Sequence, residues 1–229
     1  MYLHFFIACI SLREVEKIIA EEQVGFRAGR STTEQMFNLR ILCEKYIQNQ
    51  QDLYYVFIDF KMAFDRVWHA SLWATMKKYI SFNLIRVIKN LYNRATSAVL
   101  FNSSIGVWFR TTVGVRQGCL LSSSLFNIFL ERIMTDTLEL EDHEGTVSIG
   151  DRTITYLCFA DDIDVSVGEE EELAKLVQHL EKVFTANGME ISAEKTKLMI
   201  NNTSGINTEI KVNGQNLRQS QTSSTWAQL

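Results

Sequence analysis

The hydrophobic positions of this chain change period as it proceeds, and each change marks a structural element. Residues 53–60, LYYVFIDF, are apolar almost without a break, which predicts a strand inside a sheet covered by helices. Residues 156–160, YLCFA, predict a second strand. In IDVSV, residues 163–167, Ile163, Val165 and Val167 alternate with Asp164 and Ser166, which predicts a third, half-buried strand. Helical spacing marks 11–20 (Leu12, Val15, Ile18, Ile19), 32–50, a stretch through AFDRVWHASLWATMKKY, 82–93 and 122–141. The segment 169–188 opens with four glutamates, favoured by the helix dipole, and ends at Gly188, suited to a C-terminal cap. Residues 96–101 and 107–113 predict a hairpin around NSSIG, and EIKVNGQNL predicts another with Asn-Gly at its turn. The last dozen residues, RQSQTSSTWAQL, carry no pattern and read as a disordered tail. Helices interleaved with antiparallel hairpins predict an α+β fold, with helices packed on one face of an antiparallel sheet.

The hairpin 156–167 carries Asp161 and Asp162 side by side at its tip. Adjacent acids repel, and each raises the other's pKa unless something neutralises them. A solvated turn accounts for such a pair, since Asp is a favoured turn residue. The strand at 53–60 supplies a further fact: it brings a third acid, Asp59, to the end of an apolar run. If the two strands are sheet neighbours, three carboxylates converge. Two divalent cations would resolve their repulsion, and hard oxygen ligands suit Mg²⁺. A metal pair of this kind clamps the attacking and leaving oxygens of a phosphoryl displacement.

Composition narrows the class. The 229 residues are 46% hydrophobic and 22% charged, an ordinary globular balance. No apolar run reaches about 18 residues, so no membrane span is predicted. The opening MYLHFFIACISL lacks a basic n-region and a cleavage site, which argues against a signal peptide. Cys9, Cys43, Cys119 and Cys158 are widely spaced, which fits reduced thiols in an intracellular compartment rather than a zinc site. The net charge of −4 is unusual for a nucleic-acid protein. Residues 66–130, however, contain eight Lys and Arg and no Asp or Glu, which leaves −12 for the rest. A basic surface beside an acidic cluster suits a protein that holds a polyanion against metal-masked acids. In VGVRQGCLL, Gly114 and Gly118 permit close approach of a ligand, Arg116 can contact phosphate, and Gln117 can both donate and accept.

Taken together, FIDFKMAFDRVWH, GVRQGCLLSSSLFNIFLE, CFADD and GMEISAEKTKLM, in this order, resemble the reverse transcriptase domain of non-LTR (LINE-type) retrotransposons. EEQVGFRAGRSTTEQMF is similar to the fingers motif that precedes them. The resemblance spans about residues 12–217. It implies a right-hand polymerase palm with partial fingers, and RNA-templated DNA synthesis from dNTPs with two Mg²⁺ ions. By this resemblance Asp59, Asp161 and Asp162 are the metal ligands, Asp161 the surer of the pair, and Phe60 adds its backbone carbonyl. Phe64 is the steric gate against ribonucleotides. Arg116, Gln117 and Gly118 line the nucleotide and template pocket. Lys195 or Lys197 lies near the triphosphate, with Lys195 a proton donor to the leaving pyrophosphate. Arg27 and Arg30 lie near template or incoming nucleotide.

The implied organisation is partial fingers over 1–52, a palm over 53–200 with inserted finger helices, a hairpin over 201–217 pointing toward a thumb, and a tail over 218–229. The expected partners are an RNA template, a DNA primer and a dNTP, with no membrane, an open oligomeric state and a nuclear setting. The family normally also carries an upstream fingers arginine, a thumb and a proline after the first serine of SSS; none of these is in the sequence, which reads as a truncated element. Two alternatives follow. One is a catalytically inactive RNA-binding remnant. The other is a different palm-type two-metal enzyme such as a nucleotide cyclase, against which VRQG and EKTK argue.

Overall fold

The structure, a computed structural model, describes residues 15–139, 147–201 and 209–221. They divide into two compact units. One comprises Ala20–Ala63 and the described residues from Ile133 onward. The other comprises Phe64–Arg132 with the described residues before Ala20.

The first unit is built on a five-stranded sheet. Its strands are β1 (Leu53–Ile58), β2 (Tyr156–Phe159), β3 (Asp162–Val167), β4 (Lys197–Asn201) and β5 (Arg218–Gln221), in the order β5-β4-β1-β3-β2. The pairs among β4, β1, β3 and β2 are antiparallel; β5 runs parallel to β4, so the sheet is mixed rather than wholly antiparallel. Residues 218–221, expected in the patternless tail, owe their strand to backbone pairing with β4, which asks nothing of side-chain pattern. Residues 222–229 lie outside the described residues, as do 11–14 of the first expected helix. What is described of that helix, Val15–Ile19, is a turn in which Ile18 and Ile19 both donate to the Val15 carbonyl.

Register decides what each face carries. Tyr54 opposes Val167, Val56 opposes Val165, and Ile58 opposes Ile163, so these side chains share one face. Helix α5 (Glu170–Ala186) packs there, burying Leu173, Leu176, Val177, Leu180 and Phe184 at helical spacing. The other face carries Tyr55 and Phe57 of β1, Asp164 and Ser166 of β3, Leu157 of β2 and Met199 of β4. It is covered by helix α1 (Thr32–Gln48), whose Leu39, Leu42, Cys43 and Tyr46 join Leu53, Tyr55, Leu157 and Met199 in one core cluster. Helices therefore cover both faces rather than one. The same cover corrects the half-buried reading of β3: Asp164 and Ser166 are only 8% and 1% exposed.

The second unit contains helices α2 (His69–Tyr79) and α3 (Phe82–Asn93) and the first part of α4 (Ser122–Glu139). The single helix expected across 63–79 is broken into a 3-10 turn, Ala63–Arg66, and α2. Thr96–Ser97 pairs with Phe109–Arg110, and Leu100–Phe101 pairs with Ser104–Ile105 across a turn in which Asn102 and Ser103 have φ of 47° and 62°. This hairpin leaves Leu100, Phe101, Ile105 and Trp108 exposed. Among the described residues, no helix is long and apolar enough to cross a membrane.

Candidate active site

The end of β1 is held from both sides of the sheet. Beyond the last paired residues, Ile58 and Ile163, one further step of the same antiparallel register sets Asp59 across from Asp162. On the other side, the Asp59 N–H donates to Thr196 Oγ1 (3.3 Å), and its carbonyl accepts from the Ser192 N–H (2.8 Å). Phe60 bridges to Ile191, and its ring meets Phe184 edge-on at 4.6 Å. The Lys61 N–H donates to the Glu190 carbonyl (2.9 Å). The segment 190–196, read in the sequence as one motif with Lys195, thus frames the acid physically. It also brings Lys195 Nζ to 3.4 Å from Asp59 Oδ1.

Asp161 occupies the turn between β2 and β3, and Asp162 is the first residue of β3. The residue before them, Ala160, has φ of 59°, a left-handed conformation that costs an L-residue other than glycine about 1 kcal/mol. A Cβ on Gly25 would lie 2.1 Å from the Ala160 nitrogen, so only glycine lets the 22–25 segment approach this turn.

Asp59, Asp162, Asp164 and Lys195 line one cavity of about 400 Å³, walled by Met36, Leu39, Phe57, Leu157, Phe159 and Ile163. Partial burial, then Asp161, then Asp59 raise the Asp162 carboxyl above its ordinary range, while Lys195 opposes the rise. Asp164 is pushed up to about 8 by burial alone. Among the described residues, the buried Asp59 Oδ1 has no partner beyond its ion pair with Lys195, and neither oxygen of Asp164 accepts a hydrogen bond. The donor set is thus carboxylate oxygen, partly orphaned and mutually repelling, which matches a hard divalent cation. Among the described residues, no group of three or more His, Cys, Asp or Glu side chains is gathered closely enough to hold a metal ion by itself.

The remaining expected site residues divide between the units. Arg27 donates to the carbonyls of Ala20 (2.7 Å) and Gln23 (2.8 Å), so its guanidinium braces its own loop. Arg30 pairs with Glu34 at 2.6 Å and with Glu21. Lys197 opposes Phe57 on β4 and donates to the Glu194 carbonyl at 3.4 Å. Phe64, Arg116, Gln117 and Gly118 belong to the second unit. There the 114–118 loop is stitched to the 64–67 turn: Gly114 N–H donates to Val67 O, and Val115 N–H to Phe64 O. A Cβ on Gly114 would meet the Asp65 carbonyl at 2.8 Å. Gln117 donates to Asp65 at 3.4 Å, and the Arg116 guanidinium lies 5.9 Å from the Tyr92 ring. Gly118 has φ of 77°. Phe64 is half-buried and stacks on Phe126 at 4.3 Å. Arg86, Arg94, Arg110 and Arg116 are exposed.

Two groups escaped the sequence reading. Asp164 was placed only as a polar position of an alternating strand. Gln23 had no assigned role, yet its amide reaches the acidic turn across 137 residues of sequence. The one signal for Gln23 was its position inside the EEQVGFRAGR motif.

An acid ends the central strand and an acidic turn opens the strand beside it, the arrangement expected of a polymerase palm. The fold agrees with solved structures. Apo telomerase from Candida tropicalis, truncated from its C-terminal domain, aligns with a TM-score of 0.65 at 18% identity over 95% of this chain and 43% of that one. Telomerase from Candida albicans, in complex with a fragment of telomeric RNA, aligns with a TM-score of 0.65 at 13% identity over 93% and 36%. The chain belongs to the reverse transcriptase (RNA-dependent DNA polymerase) family, whose model matches residues 7–222. It is 26% identical over 165 residues to the RNA-directed DNA polymerase of the mobile element jockey of Drosophila melanogaster, covering 72% of this chain and 17% of that protein. It is 26% identical over 217 residues to a Pol polyprotein of the type-1 retrotransposable element R2 of Nasonia vitripennis, covering 90% and 21%. The chain thus spans about a fifth of the length of these curated relatives.

Proposed function

We propose that this chain carries the nucleotidyl-transfer centre of an RNA-directed DNA polymerase, extending a primer 3′-hydroxyl with dNTPs along an RNA template. The observation that carries the reading is the setting of Asp59 across from Asp162, one residue from Asp161, with the Lys195 ammonium 3.4 Å from Asp59. Asp59, Asp161 and Asp162, with the Phe60 carbonyl, would hold two Mg²⁺ ions, whose chemistry would be to activate the 3′-hydroxyl and to neutralise charge on the pyrophosphate.

The chain's own groups do the rest. Lys195, 3.4 Å from Asp59, would serve as the proton donor to the leaving pyrophosphate. Lys197 adds positive charge on the same face for the triphosphate. Phe64, held by its stack on Phe126 and by its backbone bond to Val115, takes the role of steric gate against ribonucleotides that the family resemblance assigns it. Gly118 frees the backbone of the 116–118 loop for a nucleotide, which Arg116 and Gln117 contact. Arg27 and Arg30 shape the loop that faces the template. The basic surface of the second unit binds the RNA backbone.

Incorporation of dTTP on poly(rA) primed with oligo(dT) tests the proposal. The expected result is synthesis that needs both the template and Mg²⁺. RNA binding that weakens with salt and is accompanied by no incorporation would instead favour the inactive RNA-binding reading. Incorporation without template would favour neither.

A further inference from the structure

We propose that Gln23 is a positioning residue for the acidic turn, holding Ala160 in the conformation that presents Asp161 and Asp162. This inference rests on the polymerase reading above and adds a residue to it. Gln23 is 3% exposed. Its side-chain Nε2–H donates to the Ala160 carbonyl at 3.0 Å, and its Oε1 accepts from the Ala160 N–H at 2.9 Å. One carboxamide thus satisfies both backbone groups of the residue just before the two acids. The same Oε1 accepts from the Gly25 N–H at 2.7 Å, which fixes the amide's orientation.

Three facts make this more than a satisfied buried glutamine. First, Ala160 adopts φ of 59°, which an alanine holds only where its surroundings over-determine it. Second, the 22–25 segment is docked on β2 by two backbone bonds, Val24 N–H to Cys158 O (3.0 Å) and Cys158 N–H to Glu22 O (2.8 Å). Gln35 adds a side-chain bond to the same Cys158 carbonyl at 3.2 Å. Gln23 therefore acts from a fixed platform. Third, the residue that Gln23 holds is the one directly before the two adjacent acids, so the conformation of Ala160 sets the direction in which the chain presents them. A glutamine supplies a donor and an acceptor in one plane; a carboxylate or a thioether of similar length does not.

Hydrogen exchange and kinetics test the brace on the chain itself. In Gln23→Met, which keeps length and removes both bonds, the Ala160 amide is expected to exchange at least tenfold faster, while the amides of β3 keep their wild-type rates. Incorporation of dTTP is expected to fall about tenfold in kcat, with KM for dTTP within twofold of wild type. Global destabilisation alone would instead speed exchange throughout the sheet. Gln23→Glu retains the acceptor and loses the donor; its Ala160 amide is expected to exchange severalfold faster than in wild type but slower than in the methionine variant, with kcat still reduced. That second variant carries the test if the first does not fold. Unchanged Ala160 exchange in both variants overturns the brace. Faster exchange with unchanged kcat overturns its role in catalysis. If wild type itself incorporates nothing while Ala160 exchange responds, the polymerase reading fails and the brace stands.

Discussion

Asp59→Asn is expected to abolish template-directed incorporation, by about three orders of magnitude or more, while leaving the fold intact. Removing one preorganised charge-stabilising group from an active site commonly costs 10²–10³ in rate, and a metal ligand removes the cation's contribution as well. Asparagine preserves the shape of the side chain, and the backbone bonds from Asp59 to Thr196 and Ser192 do not involve it. Among the described residues, the salt bridge at stake is to Lys195, whose side chain is 68% exposed, so its loss costs well under ~1 kcal/mol. Loss of charge at position 59 also relieves Asp162, whose raised carboxyl is expected to move down toward its ordinary range. A single-turnover primer-extension assay reads the first effect, and thermal melting reads the second. An active Asp59→Asn enzyme would remove this carboxylate from the chemistry.

The second large effect concerns stability. Asp164 is 8% exposed, neither of its oxygens has a hydrogen-bond partner among the described residues, and burial pushes its carboxyl up to about 8. The unfolded chain ionises this group near 3.8, so between about pH 4 and 8 the folded state binds more protons than the unfolded one. Stability from this group is therefore full below pH 4 and declines as pH rises toward 8, by several kcal/mol in all. The titratable groups facing it do not confuse the sign. Cys43, on α1, is held at about 11 by burial, and burial likewise pushes the Tyr55 hydroxyl of β1 upward, so both stay neutral through this window. Asp162, on Asp164's own strand, titrates in the same sense. Asp164→Leu is expected to raise stability at pH 8 by several kcal/mol and to flatten the decline. Asp164→Asn is expected to flatten it with a smaller gain, since its amide is also left unpaired. Urea melts at pH 5 and pH 8 read both variants; a wild-type slope retained in both would mean that Asp164 ionises freely in the fold.

These two residues also show what a sequence can and cannot reveal. Asp59 was legible because an acid at the end of an apolar run conflicts with its surroundings, and the doublet at 161–162 was legible because like charges adjoin. The α+β class, the Asn-Gly turn at 213–214 and helix α5 were legible from period and turn chemistry. Asp164 was misread because alternation within a strand cannot tell which face a helix will cover, and α1 closes over the face that carries it. Strand β5 was missed because its partner supplies the order that RQSQ lacks. Gln23 was missed because its bonds reach a residue 137 positions away, and no local pattern encodes such a bond. Arg27 and Arg30 owe their expected role to the family resemblance, and no local pattern foretells that both guanidiniums find partners within residues 20–34.

The central claim is that the carboxylates at the ends of β1 and β3 act as one cation site. Titration of Mn²⁺ into the chain, followed by the loss of the free-ion electron paramagnetic signal, measures it without any need for turnover. Binding that weakens at least tenfold in Asp59→Asn and again in Asp162→Asn is the result predicted here. Equal affinity in wild type and both variants would contradict a shared site.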